Sequence, residues 1–125
     1  MNIQLDKVML NEMLELALKK HPYEIILLLR GKKDGDIIDI DNYLFPPFAS
    51  SGRSHSSFPA NMLPIDFSIM GTAHSHPTGV LSLSSIDMHN FYGRFTLLIG
   101  YPYREKDIAA FDKNGKKLRI QLIRG

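Results

Sequence analysis

Apolar and polar positions change rhythm several times along this chain. Leu10, Met13, Leu14 and Ala17 recur at i, i+3, i+4 and i+7, which places them on one face of an α-helix. Asp6 is suited to cap that helix, because its carboxylate can accept an unpaired first-turn N–H. Lys19 and Lys20 suit the negative end of the helix dipole. Pro22 disfavours helical backbone at His21, so the helix is predicted to end there, with His21 favouring the same dipole.

"EIILLLRG" (Glu24 to Gly31) is then an unbroken apolar run of strand length, as expected of a strand buried on both faces. "KKDGD" is turn chemistry, with Gly35 free to take a positive φ. "IIDIDNYLF" (Ile37 to Phe45) is predicted to return as the second strand of a hairpin. Pro46 to Pro64 has no period, with five serines and four prolines, and reads as a long loop. Loops of that length in a small domain usually serve as lids or binding segments. A third strand is predicted over Phe67 to His74, a short helix over Ser84 to Tyr92, and a fourth strand over Phe95 to Gly100. "IAAF" and "KLRIQLI", joined by "DKNG", form a C-terminal hairpin. This order predicts one α/β domain over residues 1–125, a mixed, largely antiparallel sheet flanked by helices.

Composition narrows the chemistry. A chain of 125 residues suits a single domain. Its net charge of +2 gives no argument for nucleic acid or an acidic membrane. The basic residues Lys113, Lys116, Lys117, Arg119 and Arg124 read as a solvated hairpin face. A binding module using that face is the competing class, though no aromatics interleave the charges. No cysteine is present, which excludes disulfides, a thiol nucleophile and thiolate-bound zinc. The longest apolar run, Ile25 to Leu29, is far too short to span a bilayer, and the N-terminus has no signal-peptide core. The expected compartment is the cytoplasm, and no membrane partner is expected.

The candidate chemistry lies in "HSHPTGVLSLSSID", His74 to Asp87. Residues i and i+2 of a strand point the same way, ~6.5–7 Å apart, so His74 and His76 present two imidazoles on one side. Ser84 and Asp87 have the S-x-x-D shape of a helix cap. Asp87 can equally supply a hard third ligand. Two histidines and an aspartate around zinc leave a fourth position for water, the arrangement of a catalytic site. Such a water becomes a nucleophile near neutral pH but needs a general base. Glu24 is the candidate, heading the most buried strand, where an idle carboxylate is costly. Its other reading is a strand-end residue facing solvent. His55 lies in the serine-rich loop, as a solvated residue or a substrate contact, and His89 points away from Asp87.

Pro22-Tyr23-Glu24 before an apolar strand, then His74-Ser75-His76-Pro77, Ser84 eight positions after His76 and Asp87 three further on, resembles the motif of the JAMM (MPN-plus) zinc metalloprotease family. The size is that of its small archaeal members. The resemblance implies an MPN/JAMM, cytidine-deaminase-like fold, with Zn2+ held by His74, His76 and Asp87. It also implies Glu24 as general base and proton donor, and Ser84 as hydrogen-bond donor to the oxyanion. The implied reaction is hydrolysis of the isopeptide bond between the C-terminal glycine of a ubiquitin-like modifier and a target lysine. Such modifiers and their conjugates are the implied partners. The alternatives are processing of sulfur-carrier precursors and a non-catalytic MPN-type binding module. The oligomeric state is open, a homodimer included.

Overall fold

Seven strands wrap into a barrel in the order β1 (Asn2–Asp6), β3 (Ile37–Leu44), β2 (Ile26–Asp34), β6 (Ile69–His76), β7 (Phe95–Gly100), β8 (Ile108–Asp112) and β9 (Lys117–Ile123), and a helix packs its apolar face into the core they enclose. The computed structural model describes residues 1–47, 50–52, 56–59, 66–89 and 91–125. Strand β1 (Asn2–Asp6) precedes the predicted helix and was not expected. Its alternation is short but physical: Ile3 and Leu5 are fully buried while Asn2 faces solvent. β1 pairs in parallel with both β3 (Ile37–Leu44) and β9 (Lys117–Ile123), so it is the stave that closes the sheet. Arg124 ties the same seam from outside, with Nε 3.1 Å from Asp6 and Nη2 2.8 Å from Asp39. The other four basic C-terminal residues are exposed, as the solvated-face reading has it.

Helix α1 runs Lys7–Lys20, and Asp6 caps it by accepting the Met9 N–H at 3.0 Å. It stops at His21, whose N–H still donates to Ala17 and Leu18. The predicted face is the buried one: Leu10, Met13, Leu14 and Ala17, joined by Met9, pack on Leu27, Leu29, Ile38, Ile40 and Leu97. Each fully buried large side chain of this set contributes about 1.5–3 kcal/mol by removal from water.

β2 (Ile26–Asp34) and β3 form the predicted hairpin. β6 (Ile69–His76), β7 (Phe95–Gly100) and β8 (Ile108–Asp112) follow around the barrel. The third strand is displaced two residues from its predicted span. Phe67 is exposed, and Asp66 instead holds Ser68 in a turn through its N–H, at 2.9 Å. The expected mixed sheet is present, but it is closed, and the described residues are mostly strand with few helices rather than a sheet flanked by helices. Among the described residues the helices are α1 and the five-residue α2 (Ser85–His89), shorter than predicted. The expected loop contains a small hairpin, β4 (Ser50–Ser51) with β5 (Ser56–Ser57). His55 lies outside the described residues.

Two pairings position the site. β2 and β6 are antiparallel with Ile26 opposite His74, so the start of one strand lies beside the end of the other. β7 runs parallel to β6, with His76 opposite Gly100. Among the described residues no helix is long and apolar enough to cross a membrane.

Candidate active site

β6 carries the two histidines to one end of the barrel, where Pro77 ends the pairing. The chain turns back through Gly79, whose N–H donates to the His76 carbonyl at 2.9 Å. Gly79 has φ 82°, and a Cβ there would stand 2.9 Å from the Tyr101 carbonyl oxygen, so the turn needs glycine. The turn brings the Val80 carbonyl within 2.8 Å of His76 Nδ1. A carbonyl only accepts, so Nδ1 carries a proton, and in the neutral ring Nε2 keeps its lone pair. That Nε2 lies 3.3 Å from Asp87 Oδ2.

Asp87 and Ser84 hold each other. The Ser84 N–H donates to Asp87 Oδ2 at 2.8 Å, and the Asp87 N–H donates to Ser84 Oγ at 3.0 Å. This is a reciprocal capping box, so the cap reading of S-x-x-D is correct. It does not use up either residue. Asp87 retains lone pairs toward His76, and the Ser84 hydroxyl hydrogen remains to be donated.

His74 is placed differently. It is buried, with Nε2 3.3 Å from Thr72 Oγ1, which in turn lies 3.1 Å from Thr96 Oγ1. Burial lowers its pKa to about 4; Asp87 pulls the other way and His76 adds to the fall. His74 is therefore neutral at pH 7, the form in which imidazole binds metals. His76 moves up: burial opposes its charge but is outweighed by Asp87, the Val80 carbonyl and Glu24. Burial raises Asp87, but the neighbouring His76 ring and bonds from Ser84 overcome it and hold the carboxyl at about 2.

Glu24 sits just before β2 and is 9 % exposed, so the solvent-facing reading fails. Its N–H donates to the Gly52 carbonyl at 2.7 Å, which pins the serine-rich segment beside it. The next residue is clamped to the metal-motif strand: Ile25 N–H donates to Ser75 Oγ at 2.8 Å, and Ser75 N–H returns to the Ile25 carbonyl at 3.1 Å. Sequence reading gave Ser75 no task. Its only signal was its position between two histidines, facing the other way.

Glu24, His76, Ser84 and Asp87 line one cavity of about 290 Å³, with Val80, Leu83 and Ile86 at its apolar side. His74 is not among the residues that line it. Among the described residues no three His, Asp or Glu side chains form a ready-made metal cluster. Two of the three candidate donors are nonetheless spaced as ligands of one zinc would be. Two atoms bound to one tetrahedral zinc at about 2.0–2.1 Å lie about 3.3–3.4 Å apart, as His76 Nε2 and Asp87 Oδ2 do. A direct charge-assisted hydrogen bond would draw them closer, to about 2.7–2.9 Å. Thr72 was also missed; it shares His74's face by the strand period of two.

Comparison with known proteins shows the family. Residues 6–113 match the family described as prokaryotic homologs of the JAB domain. A probable metalloprotease of Haloferax volcanii is 36% identical over 123 residues, covering 88% of this chain and 73% of the relative. A JAB1/MPN domain protein from Archaeoglobus fulgidus superposes with a TM-score of 0.70 at 26% identity, over 98% of this chain and 99% of the other. A structure described as JAMM, a metalloprotease-like zinc site in the proteasome and signalosome, gives 0.73 at 25% identity, over 98% and 99%. The family match and these relatives give a JAMM-like metalloprotease class, carried on a closed mixed barrel. This chain belongs to the prokaryotic JAB-domain family within it.

Proposed function

We propose that the protein is a zinc-dependent isopeptidase that cleaves between the C-terminal glycine of a ubiquitin-like modifier and the ε-nitrogen of a lysine. The convergence of Glu24, His76, Ser84 and Asp87 on one cavity carries this reading. His74, His76 and Asp87 would hold the ion. Zinc, when bound, supplies a Lewis acid and makes a coordinated water acidic enough to react near neutral pH. Glu24 accepts a proton from the attacking water as its oxygen bonds the glycine carbonyl carbon. It returns that proton to the lysine nitrogen as the C–N bond breaks. The Ser84 hydroxyl, already accepting from Asp87, donates to the oxygen that gains charge.

Ser84→Ala should lower kcat by about 10²–10³, the usual scale for one oxyanion donor. It should also cost about 1 kcal/mol of stability through the lost cap. Glycine caps nearly as well, so Ser84→Gly separates the two effects. It is expected to melt close to wild type yet lose as much turnover as the alanine variant. Normal kcat in Ser84→Gly would make Ser84 a cap and nothing more.

The substrate class rests on the walls of the approach. The segment at Gly52 is bonded to Glu24, and Val80 and Ile86 are half exposed beside the cavity. The barrel is closed, so an extended tail between these elements would add main-chain hydrogen bonds to an edge of the β4–β5 pair. Two terminal glycines would pass where a Cβ would clash. The test is cleavage of matched lysine conjugates whose tails end in Gly-Gly or Val-Val, beside a linear precursor with Gly-Gly followed by further residues. Rapid cleavage of the Gly-Gly isopeptide alone is expected. Preference for the linear precursor would favour sulfur-carrier processing. Binding of all three without cleavage would favour a non-catalytic module.

A further inference from the structure

Tyr103 is buried, bulky and held at φ 66°, a left-handed conformation that such residues rarely adopt. Backbone persists there only where its surroundings over-determine it, and such residues gather at working sites. The surroundings here are specific. The Tyr103 N–H donates to the Gly100 carbonyl at 2.7 Å, and its hydroxyl lies 2.8 Å from His21 Nδ1. The His21 ring stacks on Tyr101 with centroids 4.5 Å apart, and Tyr101 meets Tyr103 edge to face at 5.6 Å. The Tyr101 N–H donates to the His76 carbonyl at 3.2 Å.

This cluster joins two parts of the site. One end holds the backbone of His76. The other holds His21, three residues before Glu24. On the far side of Glu24, Ile25 is already clamped to Ser75. Burial raises the Tyr103 pKa, and Tyr101 and then Glu24 add to the rise, so the phenol is a neutral O–H in the electrostatic neighbourhood of Glu24.

We propose that His21, Tyr101 and Tyr103 are positioning residues that set Glu24 against the His76 end of β6, through the bond between the Tyr103 hydroxyl and His21. The proposal rests on the reading of Glu24 as the base. A base displaced by a fraction of an ångström loses rate without losing substrate affinity or metal. A cluster that merely packs would change stability instead.

The test uses the full zinc-loaded chain and one probe, a ubiquitin-like protein ending in Gly-Gly joined to a fluorescent lysine peptide. Turnover, zinc content and melting temperature are measured together. Tyr103→Phe keeps the ring and removes the hydroxyl. It should lower kcat about tenfold, with KM within about twofold and zinc content unchanged. His21→Phe keeps a stacking ring, loses the bond at a partly exposed position, and should match it even if the tyrosine variant folds poorly. His21→Asn places a polar atom near Nδ1 and should keep kcat within about twofold of wild type.

Unchanged kcat in both Tyr103→Phe and His21→Phe would overturn the proposal, whatever their melting temperatures. So would an equal loss in His21→Asn and His21→Phe, or a fall in kcat that simply tracks lost zinc. Glu24→Gln is run beside them. Wild-type turnover there would overturn the reading of the site itself, whereas a dead Glu24→Gln beside a fully active Tyr103→Phe would remove the brace alone.

Discussion

Glu24→Gln is expected to keep its zinc and lose about 10²–10⁴-fold in kcat, the usual contribution of a positioned general acid–base. Glutamine matches glutamate in size, so the cavity it lines keeps its shape. The Glu24 N–H bond to Gly52 is a backbone bond and survives the change. What disappears is the ability to accept a proton from water and return it to the departing amine. KM should therefore stay near wild type while kcat and kcat/KM fall together, the signature of an interaction made only in the transition state. Steady-state kinetics on a Gly-Gly isopeptide conjugate, with zinc measured on the same sample, decides it. A zinc-loaded glutamine variant with wild-type turnover would leave the water without an assigned base.

Removal of the metal should abolish activity altogether, and Asp87 is where to test it within the chain. A strong zinc chelator should reduce cleavage to background and added zinc restore it. Iodoacetamide should change nothing, because the sequence contains no cysteine. Asp87→Ala would confuse two losses, since the same carboxylate caps α2 and faces His76. Asp87→Asn avoids this. Its side-chain oxygen can still accept the Ser84 N–H, but it carries no negative charge toward an ion. The expected asparagine variant is folded, depleted of zinc and inactive. Full activity in chelated wild type, or in zinc-free Asp87→Asn, would overturn metal dependence.

Several parts of the site were legible because their signals are local. The period that put Leu10, Met13, Leu14 and Ala17 on one face needs no knowledge of the rest of the chain. The same holds for Asp6 as a cap and for the S-x-x-D box at Ser84 and Asp87. Each depends on neighbours within about one helical turn or one strand repeat. The reading of Ser84 and Asp87 as a cap looked in sequence like a rival to Ser84 as oxyanion donor and Asp87 as ligand. They are compatible in space, because a hydroxyl can accept one bond and donate another, and a carboxylate has lone pairs to spare.

The sequence by itself determined the residue types, their intervals and the strands and helix that carry them: His74 and His76 on one strand, Asp87 and Ser84 at a helix start, Glu24 ahead of an apolar run. Tertiary structure alone decided what lies beside what. Closure of the barrel depends on β1 pairing with β3 and β9, partners more than 30 and 110 residues away in sequence. No periodicity within Asn2–Asp6 could disclose them. Antiparallel pairing of Ile26 with His74 brings Glu24 beside the histidines, and the Ser75 clamp fixes it there. Burial, set by the whole fold, neutralises His74 and sets it beside Thr72. Local patterns follow from the chain's own geometry. Long-range register, burial and the charge states that depend on them follow only from which surfaces the folded chain takes out of water.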